Sequence, residues 1–110
     1  MTYKDKYRLL TDALKQKAKE IMPPGSRLVL FGSRARGDFN DDSDWDVHII
    51  LPASRRLSLD EIDNVAYPLE EIGYRFNEFI SASVYSSRDW ELLQNHPFYQ
   101  NVEKDKIVLL

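Results

Sequence analysis

The sequence predicts a small α/β domain: a mixed β-sheet of about four strands with helices packed mainly on one face. Three observations carry that expectation. Short apolar runs rich in β-branched and aromatic residues recur at 27–31, 44–51 and 76–85. Amphipathic stretches with a three-and-four apolar spacing lie before and between them. Glycine, proline and Asn/Asp/Ser clusters mark the joins. A chain of 110 residues, 43% hydrophobic, is long enough for one core without staples, so residues 1–110 read as a single domain.

Residues 3–21 place Tyr7, Leu10, Leu14, Ala18 and Ile21 on one helical face, and Pro23-Pro24-Gly25 ends that helix. Arg27–Phe31 reads as a buried first strand that stops at Gly32. Ser33–Arg36 fits one or two helical turns, and residues 37–43 form a loop of Asx-turn composition. A second strand from about Asp44 to Leu51 alternates cleanly. Trp45, Val47, Ile49 and Leu51 share a core face, while Asp44, Asp46 and His48 share the open one. Ser58 and Glu61 make a capping box for a helix carrying Leu59, Ile62, Ala66, Leu69 and Ile72. Pro68 predicts a kink or stop near Tyr67, and Gly73 an end. The third strand, 76–85, sets Ile80, Ala82 and Val84 against Asn77, Ser81 and Ser83. Ser86 or Ser87 caps a short helix, Pro97 opens another, and Ile107–Leu110 reads as an edge strand.

Composition narrows the function classes. With no cysteine, disulfides and thiolate metal sites are excluded. No apolar run approaches a membrane span, and the start of the chain mixes acids and bases, so a cytoplasmic location without membrane partners is expected. A net charge of −3 gives no general attraction for nucleic acid. Binding through Arg27, Arg34, Arg36, Arg55 and Arg56 is opposed by the acidic loop beside them. An EF-hand reading of Asp38-x-Asn40-x-Asp42 fails, because Ser43 and Ile49 stand at the glycine and glutamate positions. The dinucleotide and P-loop patterns are absent.

What remains is Gly32-Ser33-Arg34-Ala35-Arg36-Gly37, followed by Ser43-Asp44-Trp45-Asp46. Residues two apart on a strand project from one face with Cα atoms about 6.5 Å apart. Asp44 and Asp46 would then stand together as oxygen ligands for a hard cation such as Mg²⁺. The Gly-Ser turn offers a backbone cradle for phosphate. Asp38, Asp41 and Asp42 read as turn residues, Arg34 as an exposed helix residue pairing with acids, and His48 as a wall residue or hydrogen-bonded spacer. Trp45 and Trp90 read as core anchors whose N–H groups find partners, and His96 as loop.

Gly32-Ser33, ten residues, then Asp44-x-Asp46 resembles the signature of the minimal nucleotidyltransferases of the DNA polymerase β-like superfamily. The resemblance extends to the order of elements and is weakest over the last 25 or so residues. It implies a nucleotidyltransferase fold and Mg²⁺-dependent transfer of a nucleoside monophosphate, AMP from ATP, to an acceptor. Asp44 and Asp46 would be catalytic and hold two metal ions, with Mn²⁺ as an alternative; Gly32, Ser33 and Arg36 would bind the nucleotide. A chain of 110 residues is expected to leave no room for an acceptor-binding domain. The resemblance therefore implies a partner, a helical HEPN-type protein in a toxin–antitoxin pair, or assembly as an oligomer. The family usually carries a third carboxylate on the neighbouring strand. Here serines occupy the polar face, and Glu78, the one acid available, shares its parity with Ile80 and Ala82 unless a bulge turns it. The competing reading is a binding module without turnover, acting as an antitoxin by contact. Glu78 facing the aspartates would favour the enzyme, and Glu78 facing the core the module.

Overall fold

The computed structural model describes residues 1–110. The elements run α1 (Tyr3–Ile21), β1 (Arg27–Phe31), α2 (Ser33–Arg36), β2 (Trp45–Leu51), α3 (Leu59–Phe76), β3 (Ile80–Ser86), α4 (Ser87–Leu92), α5 (Pro97–Asp105) and β4 (Ile107–Val108). The sheet order is β3-β2-β1-β4. β1 pairs antiparallel with β2 and with β4, whereas β2 and β3 are parallel. The mixture follows from the connections, because a parallel pair needs a long crossover and α3 supplies it.

Capping boxes start both long helices, Thr2 with Asp5 in α1 and Ser58 with Glu61 in α3. Their apolar stripes lie on one face of the sheet, where Leu10, Leu14, Ala18, Val65, Leu69 and Ile72 join Leu28, Leu30, Trp45, Val47, Ile49 and Val84 in the main core. The short α4 and α5 cover part of the opposite face, where Val29, Trp90 and Val102 form a second cluster.

Four departures from the sequence expectations have local causes. α3 neither stops nor ends where Pro68 and Gly73 suggest; it continues to Phe76. Pro68 removes one intrahelical hydrogen bond, and burial of Val65, Ala66, Leu69 and Ile72 on either side outweighs that loss. Gly73 serves a different purpose. A Cβ there would lie 2.3 Å from the Glu78 carbonyl oxygen, so glycine lets the chain fold back tightly after Asn77, whose φ of 53° caps the helix. As a result β3 begins at Ile80 rather than Phe76. The closing strand is only Ile107–Val108, although Leu28 also exchanges backbone hydrogen bonds with Leu109 and Leu110. His96 is no loop bystander, since its ring Nδ1 accepts from Phe98 N–H and caps α5.

Candidate active site

β1 delivers the chain to Gly32 and β2 delivers Asp46, and the two meet. Phe31 is in register with Asp46 across the antiparallel pair. Gly32 has φ 73° and ψ −159°, a region that essentially only glycine occupies. A Cβ on it would stand 2.5 Å from Asp46 Oδ2. Conformation and space both demand glycine here, and the glycine backbone consequently lies directly against a carboxylate. α2 is a single turn whose first N–H groups have no intrahelical partners. Gly37, with φ 96°, ends it.

Asp44 is exposed just before β2, and Asp46 is half-buried on its open face. Burial, followed by the charge of Asp44, raises the Asp46 carboxyl above the ordinary aspartate range, while Arg36 pulls the other way. The charge of Asp44 is thus felt at Asp46. Arg36 donates from Nε to Asp38 Oδ2 at 3.2 Å and from Nη1 to Asp105 Oδ2 at 2.7 Å. Nothing in the local sequence pattern announces Asp105, which arrives from the end of α5.

Arg34 is not the exposed residue its helix position suggests. It is 5% exposed, and its guanidinium carbon lies 4.5 Å, 4.9 Å and 5.7 Å from the ring centroids of Phe39, Trp45 and Tyr3. Nε and Nη2 donate to the Ser43 carbonyl. Arg34 therefore ties the acidic loop down just before Asp44. Its aromatic partners come from three separate segments, so no local motif reveals the cage.

Glu78 fits neither orientation expected of it. It precedes β3 and lies 2.9 Å from Lys6 Nζ and 3.5 Å from Arg34 Nη2. Its charge is matched to α1 and α2 rather than to the aspartates. The β3 residue beside Asp46 is Ser81. No cluster of three or more His, Cys, Asp or Glu residues is gathered to hold a metal. Asp44 and Asp46 suit one hard cation, being adjacent carboxylates in excess of nearby positive charge. The expected pair of metal ions lacks a third carboxylate from this chain.

His48 completes the face. Its ring is fully buried, its Nδ1 is 2.6 Å from Ser83 Oγ, and it packs 4.0 Å from Trp90 by ring centroid. Burial lowers its pKa to about 4, so it is a neutral spacer. Its Nε2 has no protein partner, and neither, contrary to expectation, does Trp45 Nε1. On the other side of Asp44 a cavity of about 560 Å³ opens between the end of α3 and the start of β3. Glu70, Tyr74, Glu78, Phe79 and Ser81 line it, and Tyr74 and Phe79 are exposed.

Residues 9–108 match the family model for the nucleotidyltransferase domain. No curated protein gives a significant match. Among solved structures, a chain of a toxin–antitoxin crystallised with AMP-PNP superposes with a TM-score of 0.60 at 17% identity, covering 91% of this chain and 72% of that one. A candidate nucleotidyltransferase from Sulfolobus solfataricus gives 0.58 at 18% identity, covering 91% and 78%. A chain of the tri-AMPylated Shewanella oneidensis HEPN toxin in complex with MNT antitoxin gives 0.55 at 15%, covering 94% and 71%. At these identities the likeness is one of fold.

Proposed function

The chain belongs to the nucleotidyltransferase domain family, and from that membership we propose that it moves AMP from ATP, with Mg²⁺, onto a hydroxyl of a partner protein. The hydroxyl oxygen bonds to the α-phosphorus, the α–β phosphoanhydride bond breaks, pyrophosphate leaves and the hydroxyl proton passes to solvent. The observation that carries the reading is the contact of Gly32 with Asp46, where a Cβ would fall 2.5 Å from the carboxylate oxygen. It joins a side-chain-free turn, able to take phosphates closely, to the carboxylates that would hold the cation. Gly32 lets the phosphates approach, Ser33 donates from its hydroxyl and N–H, and Arg36 offers a guanidinium.

Net charge favours a cation-dependent substrate. Arg36 faces Asp38 and Asp105 directly and acts on Asp46, so the site is anionic before a triphosphate arrives. A divalent cation held by Asp44 and Asp46 would neutralise phosphate charge and make the α-phosphorus more electrophilic. With phosphates on the Gly32 side, the acceptor approaches through the cavity beside Asp44, where Tyr74 and Phe79 provide an apolar rim. A helical HEPN-type protein is the proposed acceptor, in keeping with the HEPN–MNT complex among the structures of like fold. The cytoplasm, with its ATP and Mg²⁺, is the proposed setting.

One observation supports a second reading. Ser81, not an acid, stands beside Asp46, which suits a module that binds nucleotide or partner and turns over slowly or not at all. Calorimetric titration of AMP-PNP with Mg²⁺ into the wild type and Asp44→Asn tests the site. Mg²⁺-dependent binding that the variant loses is expected; equal heats in both, or none in either, refute it. Labelled ATP with a candidate partner then separates transfer from binding alone.

A further inference from the structure

We propose that Asp105 is a positioning residue for nucleotide binding, holding Arg36 so that its unengaged N–H groups meet the phosphates at Gly32 and Ser33. The proposal rests on the phosphate-binding reading of that turn and adds to it a residue from the far end of the chain.

The geometry begins with donors. A guanidinium carries five N–H groups in a rigid fork. Asp38 engages Nε and Asp105 engages Nη1, which leaves both hydrogens of Nη2 and one of Nη1 without protein acceptors. Arg36 lies on a one-turn helix between two positive-φ glycines, with its side chain 45% exposed. Unrestrained, such a side chain holds considerable rotamer entropy, most of which phosphate binding would have to remove. A fixed carboxylate removes it beforehand.

Asp105 is fixed where Asp38 is not. Its side chain is 7% exposed, against 64% for Asp38. α5 is anchored through Val102, which packs with Val29 and Trp90 under the sheet. The 2.7 Å contact therefore joins Arg36 to a buried anchor on the same sheet face that carries Asp46. The opposite possibility is that Asp105 competes with phosphate for Arg36. The free Nη2 argues against it, because a phosphate oxygen can bind there with the Asp105 contact intact.

Calorimetry of AMP-PNP with Mg²⁺ on the full chain, for wild type, Asp105→Ala, Asp105→Asn, Arg36→Ala and the Arg36→Ala/Asp105→Ala double variant, decides the matter. Asp105→Ala should weaken binding about tenfold, the scale of one charge-assisted contact. Asp105→Asn, which keeps an acceptor oxygen and the shape, should weaken it less. It keeps the test in place if the alanine variant does not fold. The double variant should bind no more weakly than Arg36→Ala alone, because Asp105 acts through Arg36. In turnover the loss should fall on KM for ATP with kcat little changed. Unchanged or tighter binding in Asp105→Ala, or additive losses in the double variant, would overturn the proposal while the phosphate reading stands. No Mg²⁺-dependent binding in the wild type would remove both.

Discussion

The two faces of the sheet are built on different principles. On one, Leu28, Leu30, Trp45, Val47 and Ile49 meet α1 and α3 in an almost purely apolar layer. On the other, Val29, Phe31, His48 and Tyr85 meet Trp90, Phe98 and Tyr99 in an aromatic layer with a neutral histidine at its centre. The aromatic layer stops at Asp46, where helical cover ends and charge begins. The first face supplies nondirectional burial. The second holds directional groups at fixed spacing, and only there do a carboxylate pair and an arginine come together. Stability and chemistry are therefore separable by substitution.

Leu69→Ala, on the apolar face, should have the largest effect, a loss of about 2–5 kcal/mol in denaturant unfolding. Nucleotide affinity per folded molecule should not change. An equal loss of affinity would mean the faces are not independent. Arg34→Ala should cost about 3 kcal/mol, since it strips a buried cation from Glu78 and its aromatic cage. Unlike Leu69→Ala, it should also loosen the 38–44 loop, visible as faster amide exchange there. Gly32→Ala reverses the balance. Its stability cost is about 1–3 kcal/mol, but displacement of the Asp46 carboxylate should abolish Mg²⁺-dependent AMP-PNP binding.

Ser81→Asp sharpens the comparison by adding chemistry to the open face. Midpoint stability should change by less than about 1 kcal/mol at this exposed position, and Mg²⁺ affinity should rise. Unchanged Mg²⁺ affinity would show that Ser81 does not face the ion. A last effect is one of pH. His48 holds its proton at about 4 when folded, against the ordinary imidazole value of 6.5. The unfolded chain therefore binds the extra proton as pH falls through 6.5, and stability declines from there to about 4, with no contribution above. Thermal melts across that window should show the decline in the wild type and lose it in His48→Phe.

Much of this was legible from residues alone. The alternation of Trp45, Val47, Ile49 and Leu51 against Asp46 and His48 follows from the two-residue period of a strand, which tertiary context did not disturb. The Gly32–Asp46 meeting followed from a glycine after one strand and acids at the head of the next. What escaped were pairings between distant segments. Glu78 is claimed by Lys6 of α1 and Arg34 of α2, so parity along its own strand had no bearing on where it turned. Asp105 reaches Arg36 across the whole length of the sheet's sequence. Pro68 shows the same limit in reverse, since a local rule against helix lost to burial on both sides of it.

The strand order has a consequence for the making of the protein. β1 lies inside the sheet, yet the partner for its outer edge, Ile107–Val108, is translated about 75 residues after Phe31. At roughly 5–20 residues per second, that edge waits on the order of 4–15 seconds on the ribosome with its backbone groups unmatched. During that interval the nascent chain presents Arg27–Phe31 as an open template for a stray strand. Ribosomes stalled before residue 107 should therefore carry chains that cross-link to one another through β1, and extension past Leu110 should suppress it.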